Sequence, residues 1–257
     1  MHFVRSGKGA APLVFVHGFT CSHEDWRFQV AHFSQANEVV ACDLRGHGAT
    51  PGRAHECSIE HYGGDVAALL AHLELGNAVL VGHSMGCRVV LEAARLDPER
   101  IAGVVLIDGS RVGSAAAQAG GYAAFVEPLV RQMFLRPCAE ADAAVERALR
   151  LPADLGSALW ASMVRWDLER MDAALAALRA PAMAIQSTYL DAERRRVPLG
   201  PGETTPWLEL LRERLKDVAI EVVPGVGHFT QLEAPGAVNR LLDEFLKIRD
   251  RPRFPRT

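Results

Sequence analysis

Short, almost uninterrupted apolar runs alternate along the chain with longer stretches in which apolar residues recur every three or four positions. The runs are "PLVFVHG" (Pro12–Gly18), "EVVACD" (Glu38–Asp43), "AVLVG" (Ala78–Gly82), "IAGVVLID" (Ile101–Asp108), "AMAIQS" (Ala182–Ser187) and "AIEVVPG" (Ala219–Gly225). Runs this short and continuous, with many β-branched residues, predict parallel strands covered on both faces. The longer stretches predict helices over Asp25–Ser34, Ser58–Leu75, Ser84–Leu96, Pro206–Leu215 and Pro235–Ile248. In Ser58–Leu75, for example, Val66, Leu69, Leu70 and Leu73 share one helical face. Regular strand–helix alternation predicts an α/β protein with a doubly wound, mostly parallel sheet. Ligands of such sheets bind at the carboxyl ends of the strands.

The alternation stops between Asp108 and Pro181. Roughly 70 residues there lack a clear strand and are rich in Ala, Leu and Arg, with Trp160 and Trp166 among them; a structureless loop of that length is implausible. Several helices are expected instead. They would form a helical cap, residues 111–180, inserted into a core made of residues 1–110 and 181–257 and lying over the ligand site.

Composition narrows the class. Of 257 residues, 49% are apolar and 23% charged, an ordinary globular balance. The net charge of -3 supplies no field for nucleic acid. Arg249, Arg251, Arg253 and Arg256, interleaved with Pro252 and Pro255, read as a solvated tail. No charged n-region leads into a long apolar segment, and no run is long enough to span a membrane. The five cysteines are scattered without CxxC spacing, which fits reduced thiols and neither a disulfide frame nor a zinc site. The expectation is a cytoplasmic protein whose partner is a small molecule.

The chemistry is concentrated in "VLVGHSMGCRVV" (Val79–Val90), where a strand meets a helix through Gly-His-Ser-Met-Gly. A serine nucleophile must stand clear of the sheet on a sharp turn, and glycines two residues to either side remove the collisions this causes. Ser84 is therefore the candidate nucleophile, flanked by Gly82 and Gly86. No Gly-Lys-Ser/Thr follows, so a phosphate loop does not fit. A serine needs a base, and His228 in "VVPGVGHFTQLE" lies just past the last predicted strand, at the correct end of the sheet. His17-Gly18 ends the first predicted strand, where the backbone can bend so that the Phe19 N–H meets a substrate oxygen. With the N–H of Met85 it would make a two-donor oxyanion hole. "DLRGHGAT" (Asp43–Thr50) reads as a structural loop braced by Asp43, Arg45 and His47.

Taken in order, His17-Gly18, Asp43-Leu44-Arg45-Gly46-His47-Gly48, Gly82-His83-Ser84-Met85-Gly86 and Gly227-His228-Phe229 resemble the α/β-hydrolase superfamily, in its cofactor-free esterase and lactonase-like branch. The resemblance runs from about Leu13 to Leu246 and implies a serine hydrolase of small or medium esters, thioesters or lactones, without metal or organic cofactor. The family usually places the third catalytic group, a carboxylate, as Gly-x-x-Asp after the strand before last. Here Ser187 stands in the glycine slot and Leu190 in the aspartate slot. Asp191, one residue on, is the first choice. Asp108 comes second, because certain haloalkane dehalogenases supply the acid from that strand end, and Glu203 third. The same framework also serves carbon–carbon bond hydrolysis and acyl transfer, and a receptor with a vestigial site is the reading from another class. The basic run Arg194-Arg195-Arg196 would favour an anionic substrate if it faced the cleft.

Overall fold

The computed structural model describes residues 1–9, 11–112, 121–191, 193 and 195–249. Its strands are β1 (Phe3–Ser6), β2 (Leu13–Val16), β3 (Val39–Cys42), β4 (Ala78–His83), β5 (Ile101–Ile107), β6 (Ala182–Gln186), β7 (Thr188–Leu190), β8 (Arg196–Pro198) and β9 (Val218–Val222). The helices are α1 (Arg27–Phe33), α2 (Ile59–His72), α3 (Met85–Leu96), α4 (Tyr122–Arg131), α5 (Ala139–Arg150), α6 (Ala153–Glu169), α7 (Met171–Ala177), α8 (Pro206–Arg214), α9 (Thr230–Glu233) and α10 (Pro235–Arg249).

Every one of the six apolar runs is a strand of one seven-stranded sheet, ordered β1-β3-β2-β4-β5-β6-β9. All neighbours are parallel except β1, which pairs antiparallel with β3 at the edge. The continuous apolarity of the strands follows from double coverage. Val14 and Val16 of β2, with Leu80 of β4 and Val104 of β5, face a core shared with α2, α3 and the helices between β5 and β6. Leu13, Phe15, Val79, Val81 and Val105 face the opposite core, closed by Trp26, Phe33 and the α10 residues Leu241, Leu242 and Phe245. Alternate residues therefore enter different cores, and both faces of the strands are mostly apolar.

Two helix starts follow local chemistry. The Ser58 side chain accepts from the His61 N–H and caps α2, and Thr205 does the same for α8 through the Leu208 N–H, with Pro206 in the first helical position. The stretch between Asp108 and Pro181 carries α4 to α7 and, among its described residues, no strand. The loop after β6 differs from a plain loop: β7 and β8 form a small antiparallel hairpin.

The chain passes from β2 to β3 on one side and then to β4 on the other, so a crevice opens at the carboxyl ends of β2 and β4. Those ends carry His17–Phe19 and Ser84. Among the described residues, no helix is long and apolar enough to cross a membrane.

Candidate active site

The turn after β4 shows why the two glycines are there. A Cβ on Gly82 would lie 2.4 Å from the Gly86 carbonyl oxygen, and one on Gly86 would lie 2.4 Å from that of Val16. Such approaches admit no side chain. Between them Ser84 takes φ 53°, ψ -112°, a conformation that lies outside the allowed basins of an L-residue. Its N–H is held by the Ile107 carbonyl at 2.9 Å, which ties the turn to the end of β5. Five non-glycine described residues have positive φ, and three of them, Thr20, Ser84 and Asp108, stand on the loops that meet here.

His228 Nε2 lies 2.8 Å from Ser84 Oγ, so the two residues singled out as nucleophile and base are in direct hydrogen-bond contact. The histidine is buried, and its backbone is fixed on both sides. Its N–H donates to the Met133 carbonyl at 2.7 Å, and its carbonyl meets His83 Nε2 at 2.8 Å. Burial, and then the positive Arg196 beside it, push the His228 pKa well below the ordinary histidine value. The ring is thus neutral at neutral pH.

The carboxylate beside His228 is Asp108, with Oδ1 3.9 Å from Nδ1. Asp108 follows β5 at φ 48°, a left-handed position that aspartate tolerates better than most residues. It is 1% exposed and saturated with donors: the Ser187 N–H at 3.0 Å and hydroxyl at 2.8 Å, the Thr188 N–H at 3.1 Å and hydroxyl at 3.3 Å, and the Thr230 hydroxyl. Burial raises its pKa against these donors.

The other two carboxylates are not brought to the histidine. Asp191 sits at the hairpin, where its carboxylate binds the backbone and side chain of Arg195 at 2.8 and 2.9 Å. Glu203 is exposed and accepts from the Gly200 N–H at 2.8 Å. The one-residue adjustment expected of Asp191 does not occur because the β7–β8 pairing fixes the register and Arg195 takes up the charge.

Arg196 is the residue whose orientation the sequence withheld. Its Nη1 lies 3.0 Å from Thr188 Oγ1 and 2.9 Å from His228 Nδ1. Burial lowers its pKa to about 10, which leaves it charged at neutral pH. A guanidinium only donates, so Nδ1 accepts and the proton of the neutral ring sits on Nε2, toward Ser84. Arg195 points to Asp191 and Glu193, while Arg194 lies outside the described residues.

On the other side of Ser84, a Cβ added to Gly18 would come within 3.2 Å of Ser84 Cβ, which brings the Gly18–Phe19 turn directly against the serine. Thr20, next along, is fastened by Arg147 of α5, which donates to its carbonyl at 3.0 Å and to Asp25 at 3.1 Å. The Phe19 ring starts an aromatic group running into the helices between β5 and β6: Tyr122 at 6.5 Å and Trp160 at 5.9 Å, with Phe125 at 4.8 Å from Trp160.

His2, His23 and Asp43 form the group of side chains that could hold a metal ion among the described residues. Both Nδ1 atoms stand 2.9 Å from Asp43 oxygens, and each hydrogen-bonds to the carboxylate directly. Asp43 also accepts from the N–H groups of His23 and Ala49, at 2.8 and 3.0 Å, as a structural brace does. The cluster involves neither Ser84 nor His228.

Comparison with known proteins adds context. The model of the alpha/beta hydrolase family matches residues 13–241. A dihydrolipoyllysine-residue acetyltransferase component of the acetoin cleaving system from Pseudomonas putida is 28% identical over 95% of this chain and 66% of its own length. A non-heme haloperoxidase from Rhodococcus erythropolis is 38% identical over 41% of this chain and 39% of its own. The chain thus spans two thirds or less of the length of these relatives. Among solved structures, Est816, described as an N-acyl homoserine lactone degrading enzyme, superposes with a TM-score of 0.79 at 25% identity, covering 95% of this chain and 96% of that one. A thermophilic esterase from Thermogutta terrifontis shares the fold, with a TM-score of 0.77 at 24% identity over 96% and 94% of the two chains.

Proposed function

The chain belongs to the alpha/beta hydrolase family, and from that premise we propose that it is a serine hydrolase of small or medium carboxylic esters, thioesters or lactones. The observation that carries this reading is the contact of 2.8 Å between His228 Nε2 and Ser84 Oγ, with Ser84 held on a strained turn at φ 53°. A binding pocket has no need of a hydroxyl presented in that way.

In the proposed reaction His228 takes the Ser84 proton as Oγ attacks the substrate carbonyl. The N–H groups of Phe19 and Met85 receive the oxyanion, and the amino end of α3 adds its dipole. Collapse releases the alcohol or thiol, protonated by His228, and leaves an acyl-enzyme. His228 then activates water, which frees the carboxylic acid and restores Ser84. Asp108 is the acid that orients the ring and stabilises the imidazolium, in place of the first-choice Asp191. For this step Nδ1 must carry a proton toward Asp108, so the guanidinium of Arg196 has to yield its place at Nδ1.

Helices α4 to α7 are proposed as a cap over Ser84. Phe19, Tyr122, Phe125 and Trp160 would form an apolar wall suited to a substrate with an apolar portion. The likeness to Est816 makes lactones a first group to screen. The likeness to the Pseudomonas acetyltransferase component, over 95% of this chain, supports a second reading in which an alcohol or amine replaces water as the acyl acceptor.

The experiment is labelling with a fluorophosphonate, read by intact mass and peptide position, beside Ser84→Ala and His228→Ala. A single adduct on Ser84, absent from both variants, is expected. A folded wild type that stays unlabelled, with the probe shown to enter the site, overturns the reading.

A further inference from the structure

Nε2 of His228 faces Ser84, and its Nδ1 faces Arg196. Arg196 in turn lines a cavity of about 430 Å³ bounded by the β7–β8 hairpin and the start of α8. This cavity borders neither Ser84 nor His228. Three of its lining side chains each carry a buried polar atom with no hydrogen-bond partner: Arg196 Nε, Trp207 Nε1 and Gln186 Oε1. Folded interiors leave few such atoms unpaired; all three are shielded from the open space of the cavity, so a ligand would pair them by drawing their side chains toward it.

Their chemistry specifies the molecule. Arg196 Nε and Trp207 Nε1 are donors, and the first belongs to a half-buried cation. Nη1 of the same guanidinium is engaged by Thr188 and His228, so the Nε edge is the part left for a ligand. A guanidinium edge is a carboxylate receptor. Gln186 spends its amide N–H groups on the Gly109 and Thr188 carbonyls, at 3.1 and 2.6 Å, which leaves Oε1 to accept from a hydroxyl. Leu190, Leu210 and the Trp207 ring supply apolar wall. Two carboxylates also line the cavity, but both have cations beside them. Glu209 is bound by Thr204 and Arg212 at 2.6 and 2.7 Å, and Glu213 lies 3.9 Å from Arg214.

We propose that this cavity is a second ligand site, for a small hydroxy-carboxylate with an apolar body, with Arg196 and Trp207 holding the carboxylate and Gln186 the hydroxyl. The site stands on the cavity and its unpaired atoms and does not depend on the hydrolase reading. A bound carboxylate would also compensate the charge that Arg196 places beside His228 Nδ1, which links occupancy to the state of the histidine.

Mandelate is a suitable probe, since it combines a carboxylate, a hydroxyl and a phenyl ring. Calorimetric titration into the full chain should show one saturable site, unchanged in Ser84→Ala. Arg196→Gln should weaken binding at least about tenfold, the loss expected of a charge-assisted pair. Trp207→Phe should weaken it less while preserving the packing against Gly109. Mandelamide, neutral and of the same shape, should not bind. Absence of saturable binding up to about 10 mM overturns the proposal. So does equal affinity for mandelamide, or binding that Ser84→Ala abolishes, which would place the ligand in the catalytic crevice instead.

Discussion

Asp108 Oδ1 lies 3.9 Å from His228 Nδ1, on a carboxylate that Ser187, Thr188 and Thr230 already hold in place. A carboxylate so fully bonded cannot swing far, which suits the role proposed for it, to orient the ring and to stabilise its charge.

The first prediction separates the three carboxylates. Asp108→Asn should lower the rate of Ser84 acylation by about 10²- to 10⁴-fold, because an amide neither fixes the tautomer nor balances the imidazolium. Asp191→Asn and Glu203→Gln should stay within about twofold, since both residues are bound up in local contacts elsewhere. The acylation burst with an activated p-nitrophenyl ester, followed in a single turnover, measures this directly. A large loss in Asp191→Asn with Asp108→Asn intact would reverse the assignment.

These contacts explain what could be read from the sequence. Ser84 was legible because close backbone approaches at Gly82 and Gly86 dictate a local pattern, and His228 because it follows the last strand at the end of the sheet where Ser84 stands. Five buried strands were legible because two cores favour apolar residues on both faces, and the half-exposed β9 because its apolar run is broken only by Glu221. The surroundings of Asp108 were not, because its donors come from two segments distant from it in sequence. Ser187 and Thr188 span the junction of β6 and β7, Thr230 opens α9 just past His228, and each alone reads as an ordinary polar residue at the end of an element. The edge strand β1 is four residues, Phe-Val-Arg-Ser, partly exposed and too short to carry a pattern. The β7–β8 hairpin hid in a loop whose basic run carried no sign of its direction, so the contact of Arg196 with His228 gave no signal.

The glycines supply a second prediction by contrast. Gly82→Ala or Gly86→Ala drives a methyl group to 2.4 Å from a carbonyl oxygen and should cost at least about 3 kcal/mol. Gly64 lies inside α2, where an added Cβ meets nothing within 4 Å. Gly64→Ala should therefore stabilise the fold by about 0.5–1 kcal/mol through helix propensity. Urea midpoints of the three variants test both signs, and a neutral Gly86→Ala would refute the account of the turn.

A third prediction concerns the joint between the sheet and the helices inserted after β5. Arg88 of α3 and Asp167 of α6 form a buried two-pronged ion pair, both contacts at 2.7 Å. The surrounding chain completes it: Arg88 also donates to the Ser110 carbonyl at 2.9 Å, and Asp167 accepts from the Val112 N–H at 2.6 Å. Arg88→Met leaves a buried carboxylate without its cation and should cost about 3–5 kcal/mol. The pair Arg88→Met with Asp167→Leu should recover most of that loss, with a remainder from the Ser110 and Val112 groups left unpaired. Chemical denaturation of the single and double variants gives the coupling. Equal stability of all forms would show that the joint does not depend on the pair.

The last prediction is a steep loss of stability in mild acid, and it comes from histidines that the fold keeps neutral. Burial brings His17 to about 3, with nearby His47 adding to the effect, and burial brings His47 and His83 to about 4. His228 is pushed in the same direction by burial and by Arg196. An unfolded chain protonates each of them near pH 6.5. Between about pH 6.5 and pH 4 the unfolded state therefore binds protons that the native state refuses, and stability falls as the pH falls. Each such histidine contributes a slope of up to about 1.4 kcal/mol per pH unit. Asp43 adds to the loss at lower pH. Burial raises its pKa, but the N–H groups of Ala49 and His23 outweigh this and hold it at about 2, so the native state gives up that stabilisation as its carboxylate protonates. Asp108 acts in the opposite sense, because burial raises its pKa and the native state takes up that proton before the unfolded chain does. The histidines outnumber it, so urea midpoints should decline by several kcal/mol in equivalent stability from pH 7 to pH 5. The linked proton uptake on unfolding at pH 5.5 should exceed one per molecule. A stability that stays level across that interval would mean that these rings are protonated in the native state, which their burial argues against.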